Sequence, residues 1–245
     1  MGYPLRWLLF VCALTTLVRA DFARDLARIH VEASGGQEQV NALKSFKATG
    51  VTTGESGNLK FTLWAARPDL IRIEVNSGTR IIVQGWDGKS DPWTGDSQTK
   101  RITLLSGEAA DAFKSEAEFD DPLLAGADRK TSLDYVGEVE VEGRSLLKVV
   151  VTLNFISLSY VYLDPETYMI VRRDVVRPSG GAEAIVRTDY SDFKPVAGVM
   201  IPHRLVISQN GKRLRETVIE HMEPNPELSP GLFAVPPVTG GKPGK

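Results

Sequence analysis

The sequence predicts a mostly β, α+β fold: one large curved antiparallel sheet forming a half-open barrel, with N-terminal and central helices covering its mouth. Three observations carry this. Apolar residues recur at every second position through most of the chain beyond Lys44. The segments that alternate are short and are separated by turn chemistry. Helical spacing occurs only near the start and once in the middle.

Taken in order, Arg6 precedes an apolar stretch from Trp7 to Leu17, and Val18-Arg19-Ala20 places modest side chains at the −3 and −1 positions of a cleavage site before Asp21. This is the layout of a secretory signal peptide, expected over residues 1–20. The stretch is shorter than the roughly 20 apolar residues of a spanning helix, which ranks an uncleaved anchor second. Cys12 lies inside it, and Leu9-Phe10-Val11 ahead of it are too bulky for a lipidation signal. Cleavage after Ala20 would leave no cysteine, hence no disulfide or thiolate metal site, so the fold must be held by its own core.

Asp21 to Ala33 reads as an amphipathic helix through Phe22, Leu26 and Ile29, stopped by Ser34-Gly35-Gly36. Gln37 to Leu43 reads as a second, with Val40 and Leu43 on one face. The period then changes to two. Strands are expected at Ser45–Thr53, through Leu59, Phe61 and Leu63, through Ile71, Ile73 and Val75, and at Thr79–Trp86 and Gln98–Thr103. Ser106 to Phe119 interrupts as a helix, with Ala109, Phe113 and Ala117 four apart, and Pro122 opens a short helical turn after Asp121. Strands resume at Asp134–Val141, Arg144–Asn154, Ser157–Leu163, Met169–Val176, Ala184–Phe193, Met200–Gln209 and Lys212–Glu223. Glu142-Gly143, Asp164-Pro165-Glu166-Thr167 and Asn210-Gly211 supply hairpin turns between them. The count is about eleven strands in a single domain over residues 21–238, followed by a Gly, Pro and Lys-rich tail at 239–245 expected to be disordered.

Without residues 1–20 the chain has 27 basic against 31 acidic residues, a net charge of −4. A mildly acidic surface with interspersed charges offers no footprint for nucleic acid. The longer motifs for chemistry are absent too: there is no GxSxG, P-loop or GxGxxG. His30, His203 and His221 have no metal-ligand spacing, and His203 and His221, flanking the last hairpin, read as surface or half-buried sheet histidines. Asp87-Gly88-Lys89 with Asp91 reads as a turn rather than a calcium loop. Asp120-Asp121 reads as negative charge at a helix start, and Glu138, Glu140 and Glu142 as one solvated strand face. No catalytic residue, metal or cofactor is expected.

An eleven-strand sheet has more apolar face than two or three helices can cover, so it must curl and enclose a cavity. The central helix and Pro122-Leu123-Leu124 become a lid over it.

Several stretches resemble the LolA/LolB-like superfamily of envelope lipoprotein carriers and their outer-membrane lipoprotein-sorting relatives. They are Ala33-Ser34-Gly35-Gly36 with Ala42-Leu43-Lys44-Ser45-Phe46, Ala66-Arg67-Pro68-Asp69 leading into Ile71-Arg72-Ile73-Glu74, and Trp86-Asp87-Gly88-Lys89 with Pro92-Trp93. Leu163-Asp164-Pro165-Glu166-Thr167, Ile201-Pro202-His203 and the stretch from Asn225-Pro226 through Leu228 to Phe233 complete the set. The resemblance implies a half-open barrel, helices in its mouth and an apolar cavity for acyl chains, in a soluble periplasmic protein. No family site residue transfers onto a position of this chain.

The expected function is therefore a periplasmic carrier or binding protein for lipid or lipoprotein acyl chains, working with an envelope membrane partner and without catalysis. Expected cavity residues are Phe61, Leu63, Trp64, Ile73, Trp86 and Trp93 on the sheet, and Phe113, Phe119, Leu123 and Leu124 on the lid. Alternation allows only some of them to face inward. The alternative is a non-catalytic regulatory or scaffold domain that binds a protein partner, which would call for a filled core. An envelope hydrolase would need a histidine, a carboxylate and a hydroxyl to converge in one cleft.

Overall fold

The computed structural model describes residues 22–124, 131–153 and 157–237. The expected signal peptide at 1–20 and tail at 239–245 lie outside the described residues.

Helix α1 covers 22–33, and α2 is Gln37–Ala42. Six strands follow: β1 Ser45–Gly54, β2 Gly57–Ala66, β3 Leu70–Asn76, β4 Ile81–Trp86, β5 Trp93–Asp96 and β6 Arg101–Leu104. Helix α3 is Gly107–Glu116. The second run is β7 Thr131–Val141, β8 Arg144–Leu153, β9 Ser157–Leu163, β10 Ile170–Ser179, β11 Ala182–Val196, β12 Val199–Gln209 and β13 Lys212–Pro224. Among the described residues, none of the helices is long and apolar enough to cross a membrane.

All thirteen strands belong to one sheet, in the order β6-β5-β4-β3-β2-β1-β13-β12-β11-β10-β9-β8-β7, every neighbouring pair antiparallel. Two meanders are thus joined through their outer ends, β1 on β13. The break in the barrel falls at mid-chain, between β6 and β7, and α3 lies in the connection across it. This is the mostly β, half-open architecture that the alternation predicts.

Sharp local features bend the sheet. The β1–β13 register slips between Thr49 and Gly50, a bulge that increases local twist. Gly50 is obligatory there, because a Cβ would collide with the Val218 carbonyl and press on the Phe61 ring. Turn chemistry fixes the hairpins: Asn210 and Gly211 both have positive φ, 48° and 80°, and they join Gln209 to Lys212 as a primed turn requires.

Two differences from the sequence expectation have simple causes. Strand β5 has only four residues and contains Gly95, too few for a period of two to emerge. The expected Gln98–Thr103 strand begins three residues later because 97–100 form the β5–β6 turn, with Lys100 at φ 53°.

The concave face carries the core. At one end α1 packs on β8–β10: Ala23 and Leu26 bury against Val149, Val151, Val161, Leu163 and Ile170, with Leu123 joining them. Further round, Phe113 of α3 and Ala117 at its C-terminal cap cover Ile71, with Trp86, Leu63 and Ile73 packed alongside. The convex face is covered locally by the segment after β13. There Trp93, 1% exposed, donates from Nε1 to the Phe233 carbonyl at 3.1 Å, and Arg72 reaches the Leu232 carbonyl at 3.2 Å.

Candidate functional site

Between these two packed regions the barrel holds a half-open cavity of about 490 Å³. That lies within the roughly 300–1,000 Å³ of small-molecule sites. Its walls follow from the alternation. Strand β2 contributes Phe61 and Leu63, β3 Ile71, Ile73 and Val75, β12 Leu205 and Ile207, and β13 Ile219 and Met222. The intervening residues, such as Trp64 and Arg72, belong to the opposite face.

Of the residues expected to line a cavity, Phe61, Leu63, Ile73, Phe119 and Leu124 do so. The others lie elsewhere. Trp64 follows Leu63 and takes the convex face, where Lys47 sits over its ring at 5.7 Å. Trp93 is on that face too, its ring occupying the space a side chain on Gly85 would need, since a Cβ there would lie 2.6 Å from it. Trp86 and Phe113 pack beside the cavity in the α3 contact, and Leu123 is absorbed into the packed core under α1.

One wall is of a different kind. From Ser115 to Leu124 the chain crosses the cavity as a strap, and its carboxylates each meet a cation from a different element. Glu116 pairs with Arg215 of β13 at 3.2 Å, and Glu118 with Arg173 of β10 at 2.8 Å. Asp120 takes Arg67 in a two-pronged contact at 2.5 and 3.0 Å. Arg67 also donates to the Val40 and Leu43 carbonyls at 2.7 and 2.6 Å, closing the end of α2. Its guanidinium lies 5.0 Å from the Phe119 ring, which is 5.3 Å from Phe46. Asp121 divides its oxygens. One accepts from the Leu123 and Leu124 amides at 2.8 and 3.0 Å, holding the turn that Pro122 opens. The other faces His30 Nε2 at 3.0 Å.

His30 is 1% exposed, and its Nδ1 lies 2.8 Å from the Tyr168 carbonyl. A carbonyl and a carboxylate only accept, so the protonated ring, with both nitrogens donating, answers both; the Ser34 hydroxyl also lies 3.4 Å from Nε2. Burial alone would depress the His30 pKa. The Asp121 charge and hydrogen bond, with the Tyr168 carbonyl, outweigh it and raise the pKa. Burial likewise pushes the Asp121 carboxyl up, and His30 with the two amides brings it below the ordinary value.

The sequence pattern gives His30 no ligand role and reads Asp120-Asp121 as a helix start; it does not show their pairing with α1 and the β2–β3 turn. His203, expected at the surface or half-buried, is buried on β12 with Nδ1 2.9 Å from the Ile201 carbonyl. A signal exists for β10: Arg173, Val175 and Arg177 alternate, so two guanidiniums share a face with cavity valines. Among the described residues no group of three or more His, Cys, Asp or Glu could hold a metal ion.

No protein-family model matches the chain, and no curated protein matches it in sequence. Solved structures do match in fold. A domain described as an outer membrane lipoprotein-sorting protein from Vibrio parahaemolyticus superposes with a TM-score of 0.58 at 11% identity, covering 88% of this chain and 97% of that one. A DUF1329 family protein from Desulfovibrio piger gives 0.59 at 12% identity, with the same coverages of 88% and 97%. A LolA superfamily protein from Nitrosomonas europaea gives 0.53 at 10% identity, over 80% of this chain and 94% of that one. The fold is LolA-like. The matches span 94–97% of each partner chain, so the likeness covers the whole fold and not a fragment of it. At these identities the likeness concerns the fold alone.

Proposed function

We propose that this protein is a periplasmic carrier or binding protein that holds lipid or lipoprotein acyl chains in its cavity and releases them unchanged. The cavity itself carries the reading: a half-open space of about 490 Å³ walled by Phe61, Leu63, Ile73, Leu205 and Ile219 and crossed by a strap. Water gains little in such a space, while each methylene moved into it contributes about 0.8 kcal/mol. A protein-binding scaffold would call for a filled core at this position. The fold shared with a lipoprotein-sorting domain and a LolA superfamily protein supports the same reading. So does the expected signal peptide, which would deliver the chain to the envelope, where a membrane partner would supply or accept the cargo.

Native mass spectrometry of protein purified from an envelope fraction, followed by denaturing lipid extraction, tests this. Acyl-chain species released only on denaturation are the expected result. An empty protein that also fails to take up an apolar fluorescent probe would overturn it.

A further inference from the structure

Cations and carboxylates around the cavity do not balance. Each strap carboxylate has a partner: Glu116 with Arg215, Glu118 with Arg173, Asp120 with Arg67 and Asp121 with His30. Arg177 lines the same cavity and is left over. Its terminal nitrogen donates only to the Ser115 hydroxyl, at 3.0 Å, and among the described residues no carboxylate lies within salt-bridge distance. Its Nε is buried with no hydrogen-bond partner, and so is the Nε of Arg173. Two guanidinium donors in one cavity are therefore unanswered, a situation that native proteins seldom leave standing.

The surroundings sharpen the point. Burial lowers the Arg177 pKa first; Glu116 and Glu118 raise it, Arg173 and Arg215 lower it, and the net displacement is downward. Three guanidiniums thus share two carboxylates. Arg177 and Arg215 each lie near the hairpin end of their strand: Arg177 pairs with Ala184 in a hairpin whose last pair is Ser179 with Ala182, and Arg215 with Ile207 in a hairpin whose last pair is Gln209 with Lys212. Apolar lining stands among the guanidiniums: Val175 lies between Arg177 and Arg173 on β10 and pairs with Val186 of β11. Guanidiniums set beside apolar side chains in one cavity are the complement of an amphiphile.

We infer that the cavity takes an amphiphile with one anionic head group, a phosphate or a carboxylate, seated on Arg177 with its apolar tail along Val175, Val186 and Ile207. The planar fork of a guanidinium suits both oxyanions. An anion on the terminal nitrogens of Arg177 supplies the missing negative charge. This rests on the carrier reading and narrows its cargo.

Titration of the protein with myristoyl lysophosphatidic acid and with monomyristoylglycerol, which share one tail, tests it, both below their micelle concentrations. A charge-assisted contact predicts about ten- to hundredfold tighter binding of the phosphate lipid. R177Q should lose most of that preference, and R177K should keep part of it. Equal affinity for the two lipids, or a preference that survives in folded R177Q, would overturn the anionic head group and leave the carrier reading intact. If neither lipid binds, both readings fall. If inorganic phosphate binds at millimolar concentration to the wild type but not to R177Q, and no lipid does, the site serves a free anion instead. Should R177Q not fold, phosphate that displaces the phosphate lipid but not the glyceride from the wild type supports the same assignment, and phosphate that displaces neither refutes it.

Discussion

The concave face of the sheet is treated in two ways. Under α1, strands β8–β10 are closed over: Val149, Val161 and Leu163 are fully buried by Ala23, Leu26 and Leu123. Across the barrel, β2, β3, β12 and β13 present equally apolar side chains to an open space. Period-two alternation is the same in both regions. What differs is how completely the covering elements fill the space above the wall. Phe113 and Ala117 cover Ile71 at one edge of the cavity, and the rest is spanned by a strap held by ion pairs. Apolar patterning thus specifies which face is inside, and the helices decide how much of that inside is solid.

The largest test of this contrast is a matched pair of truncations. Leu26→Ala should cost about 2–5 kcal/mol, the range for emptying a packed site. Ile207→Ala, at the cavity wall, should cost about 1 kcal/mol or less, because part of its surface already faces space. Denaturant unfolding reads both. Equal costs would mean that the cavity is closed in solution. Conversely, Ile207→Trp should reduce probe binding by about tenfold or more, since losing a couple of methylene contacts suffices for that, while Val161→Phe should destabilise by about 1–3 kcal/mol.

A smaller effect is expected at the strap. Asp120→Asn leaves Arg67 without its charged partner while its bonds to the α2 carbonyls remain. The expected loss is about 1 kcal/mol, concentrated in faster hydrogen exchange of the amides from residue 115 to 124. If exchange rises uniformly over the whole protein, Asp120 supports the global fold rather than the strap.

How much of this could be read from the sequence follows from the range of each signal. Strands and turns are local, so Asn210-Gly211 and the alternation from Ile71 to Val75 were legible. Strand β5 was not, being four residues with a glycine. Inward and outward phase was legible only where the chemistry alternates cleanly. Between Leu63 and Trp64 both residues are large and apolar, and only the register with Ile73 and Arg72 separates them. Trp93 pointed the other way because the segment around Phe233, 140 residues on, covers it. The strap's partners were out of reach for the same reason: His30 and Asp121 lie 91 residues apart and Arg67 and Asp120 lie 53 apart. A single sequence states charges, and the fold introduces them to each other.

The finest distinction between the two regions is in pH. The packed core under α1 carries no charge in its apolar contacts, whereas the strap is pinned to α1 by the His30 imidazolium and the Asp121 carboxylate. With the His30 pKa raised above its ordinary value of about 6.5, the stabilisation it contributes is complete at lower pH and is lost as pH rises through the raised value. With the Asp121 pKa lowered, its contribution is complete above the ordinary carboxylate range and is lost as pH falls through the depressed value. The strap should therefore be held best between the two. Deprotonation of His30 leaves an acceptor nitrogen facing a carboxylate, so on the alkaline side the strap loosens and the cavity opens. Exchange of the 115–124 amides, corrected for intrinsic rates, should accelerate a few-fold through that transition, on the order of what 1 kcal/mol permits. Amides of β8 and β9 under α1 should not respond. In His30→Gln the strap step should vanish. A step of equal size in β9 would place the titration in the global fold and dissolve the contrast between the solid and the strapped halves.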